Sequence, residues 1–374
     1  MICLVVDGIV YRRNSFGGIA RYWTETLRAL ANRVHVDVVL ARDGARPAGV
    51  RRHAVGSLSA YWAAWRADLF HSTYYTRWPR MRCPEVATAY DFIDASFPLL
   101  RPNGDGFVER QFEALRRAAA VVAISQATRD LAVRLAGIDP ARIFVAYPAV
   151  SAPFVLPPPA AADVRDFRER LTGGAPYLLH VGARRNYKNF RTILQAFCRA
   201  APHTDRHLVI LGGRQPLTEE EIGWAIAARL LERIHFQPQV DDATLRLAYA
   251  GADALVQASL MEGFGIPVVE ALACGTGLVL SDVPVYREIA AGMATFVAAT
   301  DVEAWSRALS APVAAHPAWR EEVLRRYTWE ETARTHLRAY ESARKKRPPR
   351  RPSSASSRSN TTTPSDWRGK KKKK

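Results

Sequence analysis

Short runs of apolar residues alternate along this chain with longer stretches in which apolar residues recur every three or four positions. The short runs are typical of buried strands, and the longer periodic stretches are typical of amphipathic helices. In the first part of the chain, strands are predicted at residues 2–7, 35–41, 67–72, 85–90, 120–125 and 142–147. Helices such as 18–32 and 106–119 separate several of these strands. This βαβ order predicts a parallel sheet with helices on both faces.

A proline-rich segment, residues 148–159, interrupts this order. Proline lacks a backbone N–H and has a fixed φ, so the segment is unsuited to a helix or a central strand, and we interpret it as an interdomain linker. Beyond it the alternation resumes, with strands predicted at 176–182, 207–213, 233–236, 253–257, 278–281 and 294–298. The sequence therefore predicts an α/β protein of two tandem doubly wound, Rossmann-like domains. Ligands of such sheets bind at the carboxyl ends of the strands, and the two sets of ends would face each other across a cleft.

These patterns divide the chain into two domains and a tail. We place the N-terminal domain at residues 1–152 and the C-terminal domain at 153–327, and we predict a last helix at 328–343. The tail, 344–374, has 13 basic side chains, one acidic side chain and a Ser/Thr-rich stretch. Such a composition cannot form a core, so we expect the tail to be disordered.

Composition and charge narrow the class of protein. With 374 residues, of which 48% are hydrophobic, the chain is long enough to bury two cores. The net charge of +17 belongs mostly to the tail, which carries +12, against +7 for the N-terminal domain and −2 for residues 153–343. The four cysteines lack the spacing of disulfide frameworks or zinc sites, so we expect reduced thiols. No apolar run is long enough to span a membrane, and a strand begins at residue 2 without room for a signal peptide, so we expect a cytoplasmic protein.

The most informative string is EGFGIPVVEALACG, residues 262–275, which follows a strand-like apolar run. Its two loop glycines give the backbone conformational freedom and leave room for a ligand. Pro267 suits the first turn of a helix, and Gly275 suits its end. The string therefore predicts a strand, a glycine loop that carries Glu262, and a helix that carries Glu270 one turn inside. Both carboxylates would face a pocket floored by helix N-terminal N–H groups, which suits a polyhydroxylated or anionic ligand.

This string resembles the EGFGxPxxEAxAxG signature of glycosyltransferase family 4, whose members are retaining enzymes of the GT-B fold. The resemblance covers residues 1–343 and is strongest from 176 to 290. It implies a GT-B architecture of two facing Rossmann-like domains, with the last helix crossing back onto the first. It also implies transfer of a hexose, with mannose favoured, from a GDP- or UDP-sugar. The acceptor implied is a glycan or lipid-linked glycan of bacterial lipopolysaccharide or exopolysaccharide synthesis.

The basic side chains indicate a phosphate-binding site. Before the tail the chain contains 39 arginines and a single lysine, Lys188, which follows a strand and a glycine turn and is predicted to open a helix at 187–199. A compact ammonium at a helix start is a point charge that a planar guanidinium does not reproduce. Family members carry an arginine and a lysine here that grip the donor's diphosphate, which implies this role for Lys188. The arginine of the family directly follows the glycine, where this chain has Ala183, so Arg184 is the nearer substitute and Arg185 the second.

The resemblance also assigns roles around the two glutamates. It places Glu262 close to the donor sugar and Glu270 on the ribose hydroxyls of the nucleotide. The glycine pair before the first-domain helix resembles the pair that, in the family, brings backbone amides to the donor phosphates. The donor-binding residues implied in this way are Gly17, Gly18, Gly212, Val240, Gly263, Phe264, Gly265 and Ile266.

Four residues at predicted strand ends are candidates for the acceptor side. Family members often carry a histidine and an aspartate where this chain has Tyr90 and Asp91, so the imidazole role is lost or altered here. Asp91 is either a catalytic or acceptor-contacting carboxylate or a cap of the following segment. His71 is predicted to face the cleft, either as an acceptor contact or as a capping residue. Ser125 is predicted to cap the next helix, with or without a ligand contact.

The implied chemistry needs no metal and no cofactor. Lys188, Arg184 and helix N-termini would stabilise the charge of the departing nucleoside diphosphate. The acidic pair Asp241 and Asp242 is interpreted as a helix cap rather than a metal site. We favour front-face transfer, while a covalent intermediate on Glu262 fits the sequence too.

The charge distribution bears on partners. The basic first domain has two interpretations. It suits a peripheral enzyme that lies on the anionic inner face of a cell membrane and acts on a polyprenyl-diphosphate-linked glycan, or it is a solvated charged face.

Two other classes of function stay open. A nucleotide-sugar epimerase, or a phosphorylase with pyridoxal phosphate on Lys188, could use the same fold. The basic tail could contact nucleic acid, but the folded part resembles no nucleic-acid-binding module, so we expect no such partner.

Overall fold

The fold consists of two parallel β-sheets, each flanked by helices. The structure is a computed structural model. It describes residues 2–13, 17–40, 51–54, 57–76, 83–99, 106–184, 186–213, 215–312 and 315–346. Within these ranges, one sheet has seven strands and the other has six. The predicted arrangement of two tandem α/β domains is confirmed.

The N-terminal sheet has the strand order β3-β2-β1-β4-β5-β6-β7. Its strands are β1 Cys3–Asp7, β2 His35–Leu40, β3 Arg51–Ala54, β4 Leu69–Ser72, β5 Glu85–Ala89, β6 Ala120–Ala123 and β7 Ile143–Val145. In the register of the central strand, Leu4 lies between Val36 of β2 and Leu69 of β4. All three side chains are buried. Burial on both faces is the reason that these strands appear in the sequence as continuous apolar runs.

Strand β3 is not predicted by the sequence pattern. Its residues, Arg-Arg-His-Ala, contain no apolar run, and it lies at the sheet edge beside β2. An edge strand borders solvent and accepts charged side chains, so the pattern of a buried strand does not arise there.

The helices of the first domain cover both faces of its sheet. They are α1 Ile9–Arg13, α2 Gly18–Leu30, α3 Leu58–Arg66, α4 Ile93–Ser96, α5 Phe107–Arg117 and α6 Gln126–Ala136, with a 3₁₀ turn at Pro140–Arg142. Helix α2 buries Trp23, Leu27 and Leu30 on one face. This spacing of three to four residues is the apolar stripe that the sequence pattern predicts.

The C-terminal sheet has the strand order β10-β9-β8-β11-β12-β13. Its strands are β8 Tyr177–Val181, β9 His207–Leu211, β10 Ile234–Gln237, β11 Ala254–Gln257, β12 Gly277–Ser281 and β13 Thr295–Val297. Its helices are α8 Ala161–Thr172, α9 Phe190–Ala200, α10 Glu219–Ala227, α11 Asp242–Gly251, α12 Ile266–Cys274, α13 Pro284–Ala290, α14 Val302–Ser310 and α15 Pro317–Arg326. Single 3₁₀ turns occur at Asn186–Lys188, Ala201–His203 and Leu231–Arg233.

The proline-rich linker differs from its prediction, because it contains one helical turn, α7 Ala152–Val155. Pro153 lies in the first turn of this helix, where its missing N–H removes no hydrogen bond. Phe154 is buried and packs on Tyr249, with ring centroids 5.9 Å apart. The linker is therefore anchored to the second domain.

The start of helix α9 also differs from its prediction at residue 187. A 3₁₀ turn covers residues 186–188, and the helix itself begins at Phe190. The reason is Asn189, whose φ of 53° lies in the left-handed region. The Asn189 amide donates to two carbonyl oxygens, those of Ala258 at 3.1 Å and Ala299 at 2.6 Å. This break sets the position of Lys188 immediately before the helix.

The last helix, α16 Trp329–Lys345, packs on the N-terminal domain, where it contacts α2 and strands β4 to β7. Tyr340 is fully buried there, and its hydroxyl lies 3.0 Å from Nδ1 of His71. The helix includes Arg344 and Lys345, the first two residues of the predicted tail. The rest of the predicted disordered segment, 347–374, lies outside the described residues.

Two further features of the structure are the length and apolar character of its helices and the state of its cysteines. Among the helices of the described part of the chain, none combines the length and apolar character required to cross a bilayer. The four cysteines are free thiols.

Candidate functional site

A cleft of about 1090 Å³ lies between the two sheets. Its walls come from loops that follow strands of both sheets, including Tyr90 after β5, Gly182 after β8, Gly213 after β9 and Glu262 after β11. The carboxyl ends of parallel strands are the ordinary place for a ligand in this class of sheet. The cleft is therefore where the sequence predicts it, between two sets of strand ends.

Lys188 and Glu262 form an ion pair inside this cleft, with the Lys188 Nζ atom 2.6 Å from the Glu262 Oε1 atom. The side chains are 20% and 10% exposed. Burial opposes the charged form of Lys188 and is the largest single influence, but the charge and hydrogen bond of Glu262 together with the nearby Tyr187 and Asp91 outweigh it and raise the pKa of the ammonium. The cleft thus contains a charged lysine and a carboxylate in direct contact.

Two further donors hold the same glutamate oxygen. The Ser259 hydroxyl donates to Oε1 of Glu262 at 2.6 Å, and the Tyr286 hydroxyl donates at 3.4 Å. Among the described residues, these donors and Lys188 all contact Oε1. The arrangement fixes the carboxylate and leaves Oε2 able to accept from a ligand.

The loop before α12 is built by two glycines with different roles. A Cβ atom on Gly263 would lie 1.9 Å from the carbonyl oxygen of Tyr90, so the two domains touch there through backbone. Gly265 has a φ of 117°, which side chains rarely adopt. Pro267 lies in the first turn of α12 and Gly275 ends it with a φ of 80°. The predicted strand, glycine loop and helix are all present.

Glu270 is 2% exposed and lies one turn inside α12, at the cleft wall. Arg21 of α2 donates from Nη1 to its Oε1 at 2.8 Å and from Nη2 to Asp242 at 2.5 Å. The Tyr249 hydroxyl donates to Oε2 of Glu270 at 3.1 Å. Burial raises the pKa of Glu270 to about 7, although Arg21 opposes that rise. Glu262 and Glu270 therefore line one cleft in different electrostatic settings.

Arg184 lines the cleft, but its guanidinium is held by a neighbouring loop. Its Nη2 atom donates to the carbonyl oxygens of Gln215, at 2.5 Å, and Pro216. The guanidinium also lies over the rings of Phe190, at 5.4 Å, and Phe236, at 4.8 Å. Burial lowers the pKa of Arg184. The second candidate, Arg185, lies outside the described residues.

Tyr90 and Asp91 lie on the first-domain wall of the cleft. The Tyr90 hydroxyl accepts from the Trp23 indole at 2.5 Å and donates to the Thr73 carbonyl at 2.5 Å, so it faces the domain interior. Asp91 accepts from the backbone N–H of Ile93 at 3.1 Å. Asp91 therefore both caps a helical turn and borders the cleft.

The surroundings of Asp91 make its carboxyl group titrate near neutrality. Burial raises its pKa to about 6, with further contributions from the negative charges of Asp94 and Glu262. The positive charge of Lys188 opposes this rise. A carboxyl group with such a pKa is suited to proton transfer near neutral pH.

His71 is not at the cleft, contrary to its prediction. It is fully buried, with Nε2 2.9 Å from the Thr88 hydroxyl and Nδ1 3.0 Å from the Tyr340 hydroxyl. The strand end that carries it is covered by α16, which the strand pattern alone does not reveal. Ser125 is also fully buried, and its hydroxyl accepts from the backbone N–H of Thr128 at 2.9 Å, as a helix cap.

The predicted nucleoside loops reach the cleft in part. Gly213 lines it, whereas the neighbouring Gly212 donates its N–H to the Gln237 carbonyl at 2.9 Å. Val240 packs against the hydrophobic core. Asp241 caps α11 through the backbone N–H of Thr244 at 2.7 Å, as predicted for the acidic pair.

The remaining predicted donor-side residues lie together. Those that line the cleft are Gly17, Gly18, Gly263, Phe264, Gly265 and Ile266. Within the described ranges, no three carboxylate, imidazole or thiol groups cluster as metal ligands.

Sequence reasoning missed three polar residues that shape the site, Arg21, Ser259 and Tyr286, and assigned Asp242 only a capping role. Arg21 lies one helical turn after the glycine pair, which was a usable signal for its position at the cleft. Ser259 and Tyr286 act through Glu262. Ser259 lies three positions before Glu262, which was a usable local signal, whereas Tyr286 lies 24 positions after it and no local spacing connects the two before the chain is folded.

Two family profiles match this chain in sequence. The profile described as Glycosyltransferase Family 4 matches residues 16–152, and the profile described as Glycosyl transferases group 1 matches residues 163–313. The O-antigen chain mannosyltransferase RfbU of Salmonella typhimurium is 25% identical over 271 residues, 69% of this chain and 70% of that protein. The D-inositol 3-phosphate glycosyltransferase of Xylanimonas cellulosilytica is 31% identical over 260 residues, 66% of this chain and 62% of that protein.

Solved structures show the same fold. Sucrose-phosphate synthase from Thermosynechococcus elongatus superposes with a TM-score of 0.72 at 19% identity, covering 90% of this chain and 98% of that one. HepE of Anabaena, in complex with UDP and glucose, gives a TM-score of 0.69 at 16% identity, covering 91% and 100%. The predicted GT-B fold is confirmed. The chain belongs to glycosyltransferase family 4, and the protein is a glycosyltransferase of the GT-B fold.

Proposed function

We propose that the protein is a retaining glycosyltransferase that moves a hexose, preferably mannose, from a GDP- or UDP-sugar to a glycan or lipid-linked glycan of a bacterial surface polysaccharide. The observation that carries the proposal is the Lys188–Glu262 pair, 2.6 Å apart, inside a cleft of about 1090 Å³. A cleft of this size exceeds the usual pocket for one small ligand and has room for a nucleotide sugar with the end of an acceptor. The mannosyl group and the O-antigen setting are those in the name of the relative RfbU.

The leaving group of this reaction is a nucleoside diphosphate, whose negative charge grows as the sugar departs. Lys188 offers a preorganised ammonium, and the N-terminus of α12 offers backbone N–H groups at the cleft floor. Arg184 also lines the cleft. Its guanidinium would place a second positive charge beside the diphosphate once it leaves the Gln215 carbonyl oxygen. We propose that these groups do the work that a metal ion does in other transferases.

Glu262 is proposed to bind the donor sugar rather than to attack it. Three donors on Oε1 stabilise the negative charge of this carboxylate and reduce its nucleophilicity. Oε2 would accept a hydrogen bond from a sugar hydroxyl. We therefore favour front-face transfer, in which the departing phosphate oxygen takes the proton of the acceptor hydroxyl.

The acceptor is proposed to enter on the side of Asp91, which lines the cleft from the N-terminal domain. The N-terminal domain carries a net charge of +7, which would attract an anionic membrane and bring a polyprenyl-diphosphate-linked glycan to this side. A phosphorylase with a Schiff base on Lys188 is disfavoured, because the ion pair with Glu262 keeps the amine protonated.

The test is transfer from GDP-mannose, UDP-glucose and other nucleotide sugars to lipid-linked glycan acceptors, with the anomeric configuration of the product read by NMR. Lys188→Ala and Glu262→Ala should each reduce transfer by about 100-fold or more, since each removes charge stabilisation at the reacting centre. Arg191→Ala is the matched control, because Arg191 is 59% exposed and pairs with Glu220 away from the cleft. Normal turnover in both cleft variants would rule the proposal out.

A further inference from the structure

Arg21 belongs to one domain and contacts the other. It lies on α2 of the N-terminal domain, and it lines the cleft with a side chain that is 28% exposed. Its guanidinium bonds Glu270 of α12 at 2.8 Å and Asp242 of α11 at 2.5 Å. The same group lies 5.9 Å from the ring of Phe154 in the linker. Its position is therefore fixed only when the two domains are closed.

Glu270 depends on this cation for its charge. Its side chain is 3% exposed, and an ionised carboxylate in such a place is costly unless it is paired. Burial raises its pKa to about 7 even with Arg21 in place, and the charge of Asp242 adds to the rise. Among the described residues, the hydrogen-bond partner left on Glu270 without Arg21 would be the Tyr249 hydroxyl at 3.1 Å. The pKa of the carboxyl group would then rise further, so that the protonated form would dominate at neutral pH.

The charge of Glu270 decides what it can bind. An ionised carboxylate offers about four lone-pair positions, whereas a protonated one donates from one oxygen. Arg21 uses one position on Oε1 and Tyr249 uses one on Oε2. One position on each oxygen is left for a ligand, and two vicinal hydroxyl groups match this pair in number and chemistry.

We infer that Arg21 is a positioning residue for ribose recognition, which holds Glu270 charged and oriented from the opposite domain. The ribose site is then complete only in the closed protein. This inference rests on the proposed function, because it takes the ligand to be a nucleoside diphosphate. An ion pair that merely joins the domains would instead affect all ligands of the cleft equally.

The experiment compares the affinities of UDP and 2′-deoxy-UDP, and of GDP and 2′-deoxy-GDP, by calorimetry. The native protein should prefer the ribonucleotide about tenfold, the effect of one hydrogen bond to a charged acceptor. Arg21→Ala should reduce this preference to less than about twofold, and Arg21→Lys should retain part of it because the charge remains. Arg28→Ala is the matched control, since Arg28 lies on the same helix, is 58% exposed and pairs with Glu25.

A second background tests the route through Glu270. In the Glu270→Gln protein the preference should already be lost, and adding Arg21→Ala should change it no further. A preference that survives in both Arg21 variants, or a uniform loss of affinity for ribo- and deoxynucleotides, would overturn the inference while leaving the proposed function intact. A native protein that binds none of the four nucleotides would overturn the proposed function as well.

Discussion

Glu288 of the second domain caps a helix of the first, because its Oε1 atom accepts a hydrogen bond from the backbone N–H of Gln126 at 2.7 Å. Its Oε2 atom accepts from the N–H of Ala127 at 2.9 Å. These N–H groups open α6 and have no partner within their own helix. A carboxylate is favoured at this end of a helix, so the contact stabilises the closed arrangement of the two domains.

Replacement of Glu288 by alanine should loosen this closure. The lost cap contributes about 1 kcal/mol, so the KM for the donor should rise about fivefold with little change in kcat. Small-angle scattering should show a larger radius of gyration for the variant without ligand. Glu303→Ala is the control, because Glu303 is 63% exposed and pairs with Arg199 in its own domain. Unchanged scattering and KM would show that the cap does not hold the domains.

Gly263 should not tolerate a side chain, although its backbone φ is ordinary. A Cβ atom would lie 1.9 Å from the Tyr90 carbonyl oxygen and 2.9 Å from its carbon, and backbone cannot move aside as a flexible side chain can. Gly263→Ala should therefore force the domains apart and lower transfer by at least about tenfold, since a displacement of about 1 Å is costly at a reacting centre.

The control for this substitution is Gly223→Ala. Nothing lies within 4 Å of a Cβ atom on Gly223, which is inside helix α10. Alanine there should raise stability by about 0.5–1 kcal/mol and leave transfer unchanged. Thermal unfolding of both variants distinguishes a protein that no longer folds from one that folds but whose two domains no longer close. An active Gly263→Ala protein would mean that the domains do not close as described.

The pH dependence of kcat should report Asp91. Burial, followed by Asp94 and Glu262, raises its pKa to about 6, and Lys188 opposes this rise. If the ionised carboxylate serves the acceptor, kcat at saturating donor should fall as the pH drops below about 6 and level off above it. Asp91→Asn should remove this acid limb, whereas the exposed Asp130→Asn should keep it. An unaltered limb in Asp91→Asn would assign the titration to another group.

The sequence is sufficient for the parts of this protein that depend on local pattern. Buried parallel strands produce apolar runs, so both sheets could be predicted, except for the charged edge strand β3. The loop and helix at 262–275 follow from glycine and proline chemistry, and the rarity of lysine identifies Lys188. These features depend on neighbours in the chain.

The remaining features depend on distant contacts. His71 stands at a strand end, yet α16, more than 250 positions later, covers it and contributes Tyr340 as its partner. Arg21 and Glu270 are 249 positions apart and meet only because two domains close. Neither pairing leaves a local pattern, so a single sequence contains no signal for it. The cleft could be predicted, but not its interdomain bonds.

The surface along which α16 packs on the N-terminal domain, which includes His336 and His71 and is called the seam here, should make the free energy of unfolding depend on pH. His336 of α16 is fully buried, with Nδ1 2.9 Å from the Thr332 carbonyl and Nε2 3.3 Å from the Tyr22 hydroxyl. Its ring centroid lies 5.8 Å from that of His71. Burial lowers the pKa of His336 to about 4 and, with the neighbouring His336, lowers that of His71 well below its ordinary value.

The direction of this pH dependence follows from whether the folded or the unfolded state binds more protons. Between pH 6.5 and about 4 the unfolded chain protonates these histidines and the folded chain does not, so their contribution to stability falls as the pH falls through this window. For His336 the loss is on the order of 3 kcal/mol. Asp91 and Glu270, with raised pKa values, act in the opposite direction over the same window, so the measurement is the difference between the native and His336→Gln proteins in denaturant titrations from pH 7 to 4. That difference should shrink by this amount as the pH falls, because glutamine retains hydrogen bonding without a titrating ring. His203→Gln, at an exposed histidine, should leave the profile unchanged. A native and a His336→Gln profile that run parallel over this range would mean that the seam opens to water before the protein unfolds, so that α16 detaches from the first domain as a separate step.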